Sequence, residues 1–112
     1  MLFAAISHFG SPIVTIEFIN NSGKEIKVVE IIHEAARFGQ IRHSISNLAP
    51  GMERQIRIWA PAESSYKVVV TVADQKELTG GEGYIEPGYK ITEIIEADKI
   101  RSGAKPFGAY RP

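Results

Sequence analysis

The fold is decided by one stretch, Tyr66-Lys67-Val68-Val69-Val70-Thr71-Val72-Ala73. It is β-branched from Val68 to Val72 and contains neither glycine nor proline, a composition typical of β-strands. Turn-forming residues bound it at 61–65 and at 74–76, which favours a strand over a buried helical segment of the same length. We therefore expect a central strand here, buried on most of both of its faces.

Apolar residues alternate with polar ones in further segments on both sides of this stretch. The segments are 13–19, 25–33, 41–48, 53–59, 77–85 and 89–95. The alternation slips within 25–33, which indicates either a bulge or burial on both faces. The glycines of Gly80-Gly81-Glu82-Gly83 interrupt segment 77–85, and we interpret them as a β-bulge or kink.

The architecture follows from about seven short strands, hairpin-like spacing and the lack of a long helical pattern. These features predict a single all-β domain over residues 1–112, an antiparallel β-sandwich of immunoglobulin-like type. A small β-barrel is the alternative, because period-two patterns cannot distinguish one closed sheet from two packed sheets. We expect residues 97–112 to form an irregular C-terminal tail.

The amino-acid composition excludes several classes of protein. The chain has 112 residues, 44% hydrophobic and 23% charged, without cysteine, which excludes disulfides and thiolate metal sites. No stretch approaches the ~20 apolar residues of a membrane span. The apolar segment 1–6 has no basic flank or cleavage pattern and does not resemble a signal peptide. We expect a soluble protein, without deciding between cytoplasm and periplasm.

Charge argues against a nucleic-acid partner. Thirteen basic and thirteen acidic side chains cancel, so no overall positive field attracts nucleic acid. The tail is basic and contains the aromatic residues Phe107 and Tyr110. Such a tail could stack on bases, but its few charges favour packing on the domain or contact with a protein.

No constellation of catalytic or metal-binding residues is evident. The histidines His8, His33 and His43 do not have the spacing of a metal site. The serines lack a nucleophile elbow. An acid pair drawn from Glu77, Glu82 and Glu86 would have to face each other across a cleft, which sequence cannot show. We predict no catalytic residue, no metal and no cofactor.

Exposed aromatic residues are the candidate binding residues. If Ile56 and Ile58 face the core, Trp59 and Arg57 face outward, as residues of an interface hot spot would. The alternative is that a loop or the tail covers Trp59. A second pair, Tyr84 and Tyr89, flanks the predicted turn at 86–88, and loops carry many binding residues. The candidate set is completed by Phe107 and Tyr110 of the tail.

These observations favour a non-catalytic module that binds another protein, such as an adaptor, an inhibitor or an immunity-type protein. The alternative is a β-sandwich that binds a small ligand or a carbohydrate, with Trp59 and the tyrosines as stacking platforms. A small enzyme is less favoured. A homodimer formed through an edge strand is a further expectation, because open sandwiches leave strands that can pair.

Overall fold

The computed structural model describes residues 12–34, 39–60 and 63–106, with the backbone alone at 82, 105 and 106. These residues form eight β-strands, which are β1 (Ile13–Asn20), β2 (Ile26–Glu34), β3 (Gln40–Leu48), β4 (Glu53–Trp59), β5 (Ser64–Val72), β6 (Glu77–Ile85), β7 (Tyr89–Ile95) and β8 (Ile100–Pro106). Within this described part, no helix has the length and apolar character that a membrane crossing requires.

The strands form two four-stranded sheets, so the predicted β-sandwich is confirmed. Sheet A has the order β4-β1-β7-β8 and sheet B the order β3-β2-β5-β6. Among the described residues each sheet keeps two edge strands, so the chain forms two packed sheets and not the alternative barrel. Five of the six strand pairings are antiparallel, but β1 and β7 are parallel neighbours. Two parallel neighbouring strands need a long connection. Here the connection is the chain from β2 to β6, which lies between β1 and β7 in the sequence.

Alternating apolar residues of the two sheets meet in one core. Each such side chain contributes about 1.5–3 kcal/mol when fully buried. On β5, Tyr66, Val68 and Val70 are buried, whereas Lys67 is exposed and Val69 half-buried. The prediction that this strand is buried on most of both of its faces is therefore wrong, because its outer face stays partly exposed at these residues. Near the start of β2 the alternation slips because the register with β5 shifts between Ile26 and Val28. Further along, Ile31, Ile32 and His33 are all buried, so this part of the strand is buried on both faces.

The glycine-rich segment of β6 is a β-bulge and not a break. Tyr66 pairs with Gly83 and Val68 pairs with Gly80, so β6 holds one residue more than β5 between these pairs. Gly81 has a φ of 116°, and a Cβ atom there would lie 3.2 Å from the Tyr66 ring. The bulge interpretation is confirmed, and its glycine makes room for a buried tyrosine.

The tail expected to be irregular over 97–112 contains strand β8 instead. It pairs with β7 from Ile100 to Pro106. A Cβ atom at Gly80 of β6 would lie 2.9 Å from the Cβ of Ile100, so β8 packs closely against β6 along one side of the sandwich. The small residues of 102–104 hide the alternation of this strand in the sequence.

Among the residues that the structure describes, one carboxylate lies within the core. Glu93 of β7 is 0% exposed and accepts a hydrogen bond of 3.0 Å from the Tyr66 hydroxyl of the opposite sheet. The Ser102 hydroxyl of β8 donates to its other oxygen. A buried acid is costly unless its oxygens are paired, and here hydroxyls from two strands reach them.

Candidate functional site

Strand directions place the candidate aromatic residues at one end of the sandwich. Ile13 begins β1 and pairs with Trp59, the last residue of β4. The backbone N–H of Gly88 donates to the Ile13 carbonyl at 3.0 Å, and β7 then begins at Tyr89. We call the end that carries Trp59, Tyr84 and Tyr89 the aromatic end.

Tyr84 and Tyr89 share a pocket at this end. A tight turn joins β6 to β7, closed by a 3.2 Å hydrogen bond from the Tyr89 N–H to the Glu86 carbonyl. Tyr84 is 54% exposed and Tyr89 half-buried. The Tyr84–Tyr89 pocket has a volume of about 140 Å³. Its lining residues are Tyr84, Ile85, Glu86, Tyr89, Ile91 and Ala104.

The pocket has acidic surroundings at Tyr84. The negative charge of Glu86 raises the pKa of the Tyr84 hydroxyl above its ordinary value, with smaller contributions in the same direction from desolvation and from Glu63. A hydrogen bond to Glu86 also holds the hydroxyl in its protonated form. The surroundings of Tyr84 therefore favour positive charge.

Trp59 lies at the same end but outside this pocket. It is 43% exposed and follows the buried Ile58, so it faces outward as the alternation of β4 predicts, and it is not fully covered. Arg57 is exposed on the same face. Strand β1 separates this edge strand from β7, which lines the pocket, and β4 and β7 are roughly 10 Å apart at the usual strand spacing.

Two of the histidines, which do not have the spacing of a metal site in the sequence, contact each other in the structure. The Nε2 atoms of His33 in β2 and His43 in β3 are 3.3 Å apart, whereas the ring centres are 5.4 Å apart with an interplanar angle of 4°. The nitrogens therefore lie between the ring centres, and the rings meet end to end instead of stacking face to face. Antiparallel register, which sequence does not reveal, produces the contact.

The environment of His33 disfavours its charged form. It is 1% exposed, and its Nδ1 has no hydrogen-bond partner within the described part of the chain. Burial, and then the charge of His43, lower the pKa of His33 below its ordinary value. Within the same residues, no group of three or more His, Asp or Glu side chains could hold a metal ion.

The remaining sequence candidates are not brought together. Glu77 begins β6 and Glu86 follows its end, so more than roughly 20 Å of strand separates them, far beyond the 5–10 Å of paired glycosidase acids. The side chain of Glu82 lies outside the described residues. The same is true of His8 and of the tail residues Phe107 and Tyr110.

Comparisons with known proteins report on the fold. No family model and no curated protein matches the chain. A protein from Eubacterium rectale, solved by NMR, is 17% identical with a TM-score of 0.64, and the match covers 91% of this chain and 96% of that one. A candidate cell adhesion protein from Bacteroides uniformis is 8% identical with a TM-score of 0.54, over 86% of this chain and 51% of that one. At these identities the likeness shows a shared sandwich fold alone.

Proposed function

We propose that this protein is a non-catalytic module that binds another protein through its aromatic end. The observation that carries the proposal is the gathering of Trp59 and Tyr84 at one end, beside a pocket. Large, partly exposed aromatic side chains are the residues most enriched in interface hot spots. Neither side chain is needed to fill the core, which the inward-facing residues of the eight strands already form.

The opposite end of the sandwich provides a matched control. Met52 is 44% exposed, nearly the same as Trp59. Its carbonyl accepts a hydrogen bond of 3.0 Å from the N–H of Asn20, which ends β1, so Met52 lies at the end away from Trp59. Replacing it removes exposed apolar surface without touching the aromatic end.

The test is affinity capture with a defined orientation. Strand β1 begins and β8 finishes at the aromatic end, so attachment through a residue at the opposite end keeps the proposed surface accessible. The chain has no cysteine, and Asp98→Cys, in the exposed β7–β8 turn at the other end, gives a unique attachment point. The immobilised protein is then exposed to native lysate.

A partner retained by the parent protein and by Met52→Ala, but reduced by roughly tenfold or more with Trp59→Ala or Tyr84→Ala, would support the proposal, since hot-spot truncations cost about 2 kcal/mol or more. Equal retention by all four proteins, or equal loss with Met52→Ala, would contradict it.

A small-ligand function is the second candidate, and the Tyr84–Tyr89 pocket is the observation that favours it. A volume of about 140 Å³ is close to that of a cavity that holds one benzene molecule, and below the roughly 300 Å³ at which drug-sized sites begin. The candidate ligand is therefore a single ring or a short chain. Sugar-dependent change in Trp59 fluorescence, lost with Tyr84→Ala, would favour this function over protein binding.

A further inference from the structure

We infer that the Tyr84–Tyr89 pocket receives one cationic side chain, a lysine or an arginine, from a partner protein. This inference deepens the proposed function and rests on it. It is carried by three properties of the pocket, which are its size, the chemistry of its walls and the negative charge beside Tyr84.

The size of the pocket selects a single side chain. Its volume of about 140 Å³ accommodates a group comparable to one benzene ring. A guanidinium group or the end of a lysine side chain is of this size or smaller. A helix or an oligosaccharide is far larger, so either would contact the pocket through one protruding group.

The walls suit an amphipathic cation. Ala104, which pairs with the buried Ile91 across β7 and β8, is exposed and supplies an apolar surface on which a methylene stem can pack. The rings of Tyr84 and Tyr89 lie beside this surface, and the face of an aromatic ring attracts an ammonium or guanidinium group.

The charges around the pocket favour a cationic group over a neutral one. Among the lining residues that the structure describes, Glu86 is acidic and none is basic. Glu63 adds a second negative charge near Tyr84, since both glutamates disfavour ionisation of its hydroxyl. A cation would gain from these carboxylates, whereas an anion would be repelled and a neutral group would gain nothing from them.

The test uses small probes and amide NMR of the full chain. Butylammonium represents lysine, methylguanidinium represents arginine, and 1-butanol is the uncharged control. We expect saturable shifts at Tyr89, Ile91 and Ala104 with one or both cations, and weaker binding of 1-butanol. The better of the two cations identifies the side chain.

Variants distinguish the contributions of the Tyr84 ring, the Glu86 carboxylate and the overall negative charge of the protein to cation binding. Tyr84→Ala and Glu86→Gln should each weaken cation binding about two- to fivefold, the range given by an exposed cation–π contact or ion pair. Tyr84→Phe keeps the ring and should bind. Glu53→Gln removes an exposed acid at the far end of β4 and should leave binding unchanged. Equal shifts with 1-butanol, or equal weakening by Glu53→Gln, would overturn the inference.

The two proposals fail in different ways. If a partner is captured in a Tyr84-dependent manner while neither cation binds the pocket, the cation inference is wrong and the protein-binding function stands. If the cations bind the pocket while no partner depends on Trp59 or Tyr84, the protein-binding function is wrong and the pocket is a site for a small cation.

Discussion

The hydroxyl of Tyr66 donates across 3.0 Å to the carboxylate of Glu93 and thereby joins the two sheets, since Tyr66 lies in β5 and Glu93 in β7. Burial of a carboxylate in an apolar core is costly unless donors meet its oxygens. A slip of one sheet against the other would remove this donor. The pair therefore favours one relative position of sheets that apolar packing alone would hold less specifically.

Tyr66→Phe tests this link. The substitution keeps the ring but removes the donor, and we expect the free energy of unfolding to fall by about 1–3 kcal/mol, the usual cost of leaving a buried acceptor without its partner. The measurement is urea denaturation at pH 7. Tyr84→Phe, at an exposed tyrosine, is the control and should change stability by less than about 0.5 kcal/mol. Equal effects of the two substitutions would mean that the buried bond adds no stability.

Gly81→Ala tests the bulge that accommodates Tyr66. Its φ of 116° disfavours any side chain, and the added Cβ would approach the Tyr66 ring, so we expect a loss of about 1–3 kcal/mol. Gly103→Ala is the matched control in a strand, because a Cβ there meets no atom within 4 Å and the backbone φ is not positive. The measurement is thermal denaturation of both variants. A greater loss of stability in Gly103→Ala than in Gly81→Ala would contradict the prediction.

Sequence patterns identified strands well where polar and apolar residues alternate clearly. Segments 53–59 and 89–95 coincide with β4 and β7. Strand β8 was missed because its small residues give little alternation, and it is held in place by pairing with β7 and by packing against β6. The outer face of β5 was expected to be buried because its valines suit both faces, and only the layer arrangement shows that Lys67 and Val69 lie on the open side.

The candidate site was predictable in parts but not as a whole. The turn at 86–88 indicated that Tyr84 and Tyr89 are close, and alternation indicated that Trp59 faces outward. That these residues share one end depends on β1 and β7 being parallel neighbours, a long-range pairing with no local signature. The His33–His43 contact was missed for the same reason, because it depends on the register of β2 and β3.

The histidine pair predicts pH-dependent stability. Unfolded His33 takes up a proton near pH 6.5, whereas burial and the charge of His43 lower the pKa of His33 in the folded protein. Between these two values the unfolded state binds more protons, so stability is complete above pH 6.5 and falls as the pH decreases, by at most about 1.4 kcal/mol per unit. The measurement is the free energy of unfolding from pH 7.5 to 5.5.

His33→Gln cannot take up this proton and supplies the control. In this variant the free energy of unfolding should decrease much less below pH 6.5 than in the parent protein. The comparison holds even if the variant is less stable at pH 7.5, because it concerns the slope of stability against pH and not the absolute stability. Glu34 acts on the pKa of His33 in the opposite direction, so Glu34→Gln should steepen the decrease. A slope that is the same in the parent protein and in His33→Gln would show that other groups cause the pH dependence.

The acidic surroundings of the Tyr84–Tyr89 pocket can be measured without a ligand. The charge of Glu86 and its hydrogen bond raise the pKa of Tyr84 above 10.0, because both stabilise the neutral phenol. We expect Glu86→Gln to lower the pKa of Tyr84 towards 10.0, while Glu53→Gln at the far end of β4 leaves it unchanged. Difference absorbance against Tyr84→Phe isolates this tyrosine from the other three. A titration midpoint that does not respond to Glu86→Gln would remove the electrostatic reason for a cation to enter the pocket.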